Sequence, residues 1–148
     1  EIDCSVFPTK RENGGYESMP NTGAFMIKTK HGKEIKELPV ALLKILNRKF
    51  CYSGGGYFRL LPFFINKQFF KSSDYNMFYI HPRDLDSKQP VLEGLSLSRR
   101  FKSYYGLSKC EKKLSKLLKG FNFVSVKEAE FQIEWDSVPL FELNKNEI

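Results

Sequence analysis

Short apolar runs separated by turn-forming residues dominate the first half of the chain. Residues 1–7 read as a brief strand stopped by Pro8, and residues 9–23, rich in Asn, Gly, Pro and charge, read as a long loop. Residues 24–29 and 34–46 predict extended structure around the turn Lys30-His31-Gly32-Lys33, although 41–46 fits a helical turn equally well. Gly54-Gly55-Gly56 predicts a sharp loop that admits positive φ. After it, Phe58, Leu61, Phe64, Ile65 and Phe69 recur at helical spacing. Pro62 is tolerated only in a first turn, which places the helix body at about residues 61–72.

Met77-Phe78-Tyr79-Ile80 predicts a strand that ends on His81, with Pro82 following at once. A loop rich in Pro and Asp covers residues 82–94, and a helical piece covers about residues 95–104. Ser108 and Glu111 have the spacing of a capping box, with Gly120 as the matching stop. In that helix Leu107, Cys110, Leu114, Leu117, Leu118 and Phe121 share one face, and Lys109, Lys112, Lys113, Lys116 and Lys119 the other, the pattern of an amphipathic surface helix. Residues 121–124 predict a short strand. Ser125 and Glu128 predict a second capping box, opening a helix through about residue 135, and the polar tail after Leu143 is expected to fray. No internal repeat or low-complexity tract interrupts this order.

Composition narrows the class. With 148 residues, 41% of them hydrophobic and 15% aromatic, the chain is long enough to bury one sizeable core. No apolar run reaches the roughly 20 residues of a membrane helix; residues 58–70 are broken by Arg59, Pro62, Asn66 and Lys67. Glu1 opens the chain with no leader-like segment after it, so the chain is expected to be a piece of something longer. The three cysteines, Cys4, Cys51 and Cys110, are far apart and odd in number, which fits reduced, packed thiols. Their spacing argues against a zinc site, whose ligands come in pairs two to four residues apart.

The net charge is +7, from 24 basic and 17 acidic residues, with the excess in residues 99–119. That run invites a nucleic-acid reading. Its lysine face has no interleaved aromatic residue for bases to stack on, so it reads as a solvated outer face and no nucleic-acid partner is expected.

Chemistry falls mainly to His81, because the other histidine, His31, lies in a polar turn. Strand ends carry the chemistry of many α/β enzymes, so His81 reads either as a proton carrier or as a hydrogen-bonded structural residue. The triple glycine lacks the lysine and Ser or Thr of a phosphate loop and the spaced glycines of a dinucleotide fold. Close passage of two backbones is its simpler reading. No metal-ligand cluster stands out, nor a carboxylate pair beyond Asp84 and Asp86.

Several motifs in order carry a resemblance: Asp3-Cys4-Ser5-Val6-Phe7-Pro8, Glu37-Leu38-Pro39-Val40, residues 54–62 from the triple glycine through Arg59 to Pro62, and Phe78-Tyr79-Ile80-His81-Pro82. Gln89-Pro90, Arg100-Phe101, Tyr104-Tyr105 and residues 114–123 continue it. Together they resemble the C-terminal half of bacterial polysaccharide deacetylases, the NodB-homology carbohydrate esterases with the C-terminal extension typical of exopolysaccharide loci. The resemblance implies an α/β fold: residues 1–82 as the C-terminal part of a distorted (β/α) barrel, and residues 83–148 as a mainly helical extension packed on it. It implies hydrolysis of N-acetyl groups on hexosamines of a polysaccharide substrate, with no membrane span. It also implies a divalent metal, zinc, held with the catalytic base by an upstream half and not by this chain, so that the isolated chain is inactive.

In that resemblance His81 is the general acid that protonates the departing amine. Asp3 either orients a catalytic group or closes a strand, and Arg59 either binds a carboxylate or fixes its loop. Arg83 and Asp84 stand where the family has Trp and Glu; the change removes an indole that could stack on a sugar and adds a cation suited to a more acidic polymer. Gly106 stands where the family has Asn. The other reading of the chain is a non-catalytic glycan-binding or interaction module.

Overall fold

Alternation in Phe25-Met26-Ile27-Lys28 puts Phe25 and Ile27 on one face of a strand, and both are buried while Met26 and Lys28 are only partly covered. The computed structural model describes residues 1–9, 16, 23–45 and 48–142. In chain order its elements are β1 (Ile2–Asp3), β2 (Phe25–Lys28), β3 (Glu34–Glu37), β4 (Leu43–Ile45), β5 (Arg48–Phe50), α1 (Gly55–Leu60), α2 (Phe63–Lys71), α3 (Leu97–Tyr104), α4 (Leu107–Gly120), α5 (Val126–Gln132) and β6 (Leu140–Glu142). Single 3-10 turns add Pro82–Asp84 and Trp135–Ser137. The class is mixed α/β, and the described residues form no closed barrel.

Two compact units divide the chain. The first comprises Glu1–Phe50, Tyr75–Met77 and Val124–Ile148; the second comprises Cys51–Asp74 and Phe78–Phe123.

The first unit holds a four-stranded mixed sheet of order β1-β3-β2-β6. β2 and β3 pair antiparallel with Phe25 opposite Glu37 and Lys28 opposite Glu34, and the predicted turn closes them. The Thr29 amide donates to Lys33 O at 2.8 Å, and Gly32 takes φ 77°, a left-handed value that favours glycine. β1 runs parallel to β3 and β6 parallel to β2. Val6, Phe25 and Ile27 make the core, with Tyr16, Ile35 and Phe141 against it; the Phe25 and Phe141 rings meet edge to face at 5.6 Å. β4 and β5 form a separate antiparallel pair, so residues 43–45 are extended and not helical.

The predicted capping box at Ser125 is present. The Ser125 hydroxyl accepts from the Glu128 amide at 3.2 Å, and the Glu128 carboxylate accepts from the Ser125 amide at 2.7 Å. The helix stops at Gln132, earlier than expected, because Ile133 turns extended and the Trp135 indole donates to Glu130 O at 2.8 Å. The expected loop over residues 9–23 lies outside the described residues except at its ends and at Tyr16, as does the tail from Leu143.

The second unit is held by aromatic packing. Phe70 touches Tyr52 at 5.5 Å, Phe78 at 5.8 Å and Phe121 at 5.7 Å, and Phe58 meets Phe78 at 5.1 Å. The helix expected over about residues 61–72 is α2, with Pro62 as its N-cap, and a separate helix, α1, precedes it. Leu61 precedes Pro62 and takes the extended ψ of 145° that a following proline imposes, which ends α1. Residues 77–80 make no strand, only a single parallel bridge between Tyr79 and Gly54. Residues 121–124 likewise join no ladder; Phe121 and Phe123 pack their rings on Phe70 instead.

α4 begins one residue before the predicted cap. Gly106 is its N-cap at φ 74°, and a side chain there would fall 2.8 Å from the Arg59 carbonyl, so Ser108 sits inside the helix. No helix among the described residues is long and apolar enough to cross a membrane.

Glu37 is fully buried at the end of β3, opposite Asp3 in the β1 ladder, and its Oε1 accepts from the Val6 amide at 3.0 Å. Burial pushes its carboxyl up to about 7; the Val6 amide opposes this and the Asp3 charge adds to it. The raised value means that the fold favours protonated Glu37. Its contribution is full below the unfolded value of 4.5 and is lost as pH rises through about 7. Urea unfolding should therefore show stability falling between pH 5 and pH 8, by roughly 3 kcal/mol for this one group. Glu37→Gln should remove most of that slope, and a slope unchanged in the variant would assign it elsewhere.

Candidate functional site

The site is built around the start of α1, where the triple glycine lies. None of its three glycines takes a positive φ. Two of them are needed for another reason: a side chain on Gly54 would strike the Tyr79 ring, 2.6 Å away, and one on Gly55 would strike the Asp84 carboxylate, 2.7 Å from Cγ. The glycines thus admit the side chains of Tyr79 and Asp84, and Gly54 also makes the close backbone approach expected of it, the parallel bridge to Tyr79.

Asp84 ends the 3-10 turn that follows His81. Its Oδ2 accepts from the His81 amide at 3.1 Å, and its own amide donates to the His81 carbonyl at 2.8 Å. Pro82 at the first position of the turn suits this geometry. The Asp84 side chain is buried and faces Arg59, with Nε 3.0 Å from Oδ1. Arg59 is buried too, and spends the rest of its guanidinium on backbone: Nη1 donates to the carbonyls of Ser103 at 3.1 Å and Tyr105 at 2.8 Å, and Nη2 to that of Lys102 at 2.9 Å. One planar cation therefore ties α1, the His81 turn and the end of α3 together.

Lys113 of α4 completes the framework. Its ammonium donates to the carbonyls of Phe58 at 3.2 Å, Arg59 at 2.8 Å and Leu61 at 2.6 Å, capping the C-terminus of α1 with a positive charge. Burial lowers its pKa, and the neighbouring Lys109 charge acts the same way, while Cys110 opposes. The expected solvated lysine face is thus corrected at this position. Cys110 is fully buried beside the cluster; burial raises its thiol pKa, Asp84 adds to this, and Arg59 and Lys113 work against it. A thiol so placed packs as a small apolar group and lacks the access of a nucleophile.

His81 leaves its imidazole exposed, with the ring edge-on to Tyr79 at 5.5 Å. Arg83 is exposed and its carbonyl accepts from Gln89 Nε2 at 2.7 Å. The structure brings His81, Arg83, Asp84 and Arg59 into one framework. Asp3 belongs to the first unit, where its carboxylate accepts from the Cys4 amide at 2.8 Å and the Ser5 hydroxyl at 2.6 Å and faces Glu37. Among the described residues no group of three or more His, Cys, Asp or Glu side chains could hold a metal ion. Lys113 and Glu37 escaped the sequence reading: the first is one of five lysines on a helix face, and the second is one acid in a charged strand.

Chemically, the arrangement offers an exposed imidazole on a backbone that a buried ion pair holds in place. Arg59→Met should lower the free energy of unfolding by about 3–5 kcal/mol, because it strands Asp84 without its cation. Arg59→Lys should recover little of this, since one ammonium cannot serve Asp84 and the carbonyls of Lys102, Ser103 and Tyr105 in a planar fork. Urea unfolding of the three proteins checks both, and a Lys variant as stable as the parent would mean that charge alone suffices.

No curated protein and no solved structure shows a significant match to the chain. The profile of the domain of unknown function DUF3473 matches residues 4–130, from the exit of β1 into α5, and its description assigns no activity. By that match, which takes in the whole Arg59 framework and the His81 turn, the chain belongs to the DUF3473 family.

Proposed function

We propose that the chain is the C-terminal part of a metal-dependent polysaccharide deacetylase, one that hydrolyses N-acetyl groups on hexosamines of an exopolysaccharide. In this reading residues 1–82 belong to a NodB-like barrel completed by residues outside this sequence, and residues 83–148 are its helical extension. The observation that carries it is His81: an exposed imidazole, inside the motif order that resembles the deacetylases, on a turn pinned by the buried Asp84 and Arg59.

Deacetylation expels a sugar amine, which is a poor leaving group until it gains a proton. Imidazole titrates near neutrality and can deliver that proton, whereas lysine and arginine hold theirs too tightly. Asp84 and Arg59 act behind it as positioning residues, holding the His81 amide so that the ring has one origin. The described residues do not fit a divalent metal, so the reading assigns metal and base to residues outside this sequence and gives this chain the proton alone.

A second reading, a glycan-binding module without catalysis, is favoured by the exposed rings of Tyr57, Phe101 and Tyr105. The two part on turnover. His81→Ala in the full-length parent should cut the kcat for acetate release by about 10²- to 10⁴-fold while leaving the unfolding midpoint close to that of the parent. Undiminished release would remove His81 from the mechanism, and a full-length protein that releases no acetate would favour the module.

A further inference from the structure

α3 carries large apolar residues, yet none of its residues is buried, a state it shares with α5. Tertiary packing of an apolar face supplies most of the stability of a short helix, yet the apolar residues here stay open. Leu97 is 86% exposed, Phe101 51% and Tyr105 49%. What holds the segment is polar. Arg59 grips its last carbonyls, and the Tyr104 hydroxyl accepts from the Leu92 amide at 2.9 Å and donates to Pro90 O at 3.2 Å. Its aromatic side chains are therefore left over from folding.

They line a groove. Tyr57 and Leu60 of α1, 41% and 42% exposed, form the opposite wall, and Gly56, Ser98 and Lys102 complete a concavity of about 480 Å³, within the range of small-ligand sites. The Phe101 and Tyr105 rings lie 4.7 Å apart and 33° from parallel, so their faces make a tilted platform. Gly56 has nothing within 4 Å of the place a side chain would take, so the mouth is open there. Among the described residues the charge in the lining is Lys102 and no Asp or Glu lines the groove, and Arg99 and Arg100 add further cations on α3.

We propose that this groove binds a carboxylated sugar of an acidic polysaccharide. A pyranose ring has an apolar C–H face and a polar edge, so it can lie flat on aromatic rings while its hydroxyls meet water, Ser98 and the tyrosine hydroxyls. A carboxylate on that edge meets Lys102. A bilayer surface would want a projecting apolar face, and this one is concave. A nucleic-acid strand would want several cations along its phosphates, and the lining offers one. The proposal rests on the glycan-directed reading for the class of polymer, and on the groove for its acidity and place. Arg59 fixes both the α1–α3 walls and the His81 turn, so sugar bound here lies on the same rigid framework as the imidazole.

Calorimetric titration of the full chain with hexagalacturonate and with neutral cellohexaose tests this. The acidic probe should bind more tightly, and Phe101→Ala should weaken it about tenfold. Lys102→Gln should weaken the acidic probe about threefold to fivefold and leave the neutral one unchanged. Both side chains are exposed, so unchanged unfolding midpoints are expected and confirm that the variants fold. Binding of neither sugar, binding unaffected by Phe101→Ala, or binding of phosphatidylglycerol vesicles in place of sugar would overturn the proposal. Acetate release by the full-length parent is read separately: no release with sugar binding intact overturns the deacetylase and keeps the groove, and His81-dependent release without sugar binding does the reverse.

Discussion

The buried guanidinium of Arg59 fixes how α1, the His81 turn and the end of α3 meet in the second unit. Moving such a charge out of water is costly, and the cost is met only when each face of the group finds a partner. Asp84 supplies the counter-charge at 3.0 Å, and the carbonyls of Lys102, Ser103 and Tyr105 take the outer nitrogens. Those partners lie far apart in the chain, so satisfying one side chain draws α1, the His81 turn and the end of α3 together. The constraint spreads from there. Gly55 must lack a side chain because Asp84 occupies its place, and Gly106 must lack one because it lies against the Arg59 carbonyl. Lys113 then caps the carbonyls that α1 leaves open.

Glu37 in the first unit shows the opposite solution to burying a carboxyl. Asp84 meets a cation; Glu37 meets the Val6 amide and the like charge of Asp3. With no counter-ion among the described residues, this buried acid lowers its cost by keeping its proton, and burial raises its pKa toward neutrality. One unit thus buries a paired charge and the other a carboxyl that holds its proton into the neutral range.

The same framework explains how function and folding can share residues. Polar contacts from Arg59 and Tyr104 hold α3, which frees Phe101 and Tyr105 from core duty, and the Asp84 contact holds the His81 amide, which frees the imidazole. Both exposed features then stand on a backbone with little freedom to move. Preorganisation of this kind would let the proposed binding and proton transfer proceed without ordering the groups each time.

Signals that act within three or four residues were legible in the chain itself. The Ser125–Glu128 box, the Gly32 turn, the alternation of β2 and the break at Pro62 each depend on neighbours in sequence, and the first three could be placed by inspection. Pro62 both closes α1 and caps the start of α2, the helix expected there. The Ser108–Glu111 spacing was as good as the one at Ser125, yet the N-cap of α4 is Gly106, where the chain lies against the Arg59 carbonyl. Lys113 and Glu37 looked like ordinary charges, and Arg59, singled out as binding a carboxylate or fixing its loop, had no visible partner, for a related reason: a side chain's worth depends on what packs around it, and their partners lie 25 to 55 positions away. Local composition and spacing therefore determined the class, most element positions and the candidate histidine. Only the tertiary structure decided which charges are buried, because desolvation and pairing are properties of the assembled neighbourhood and not of any stretch of sequence.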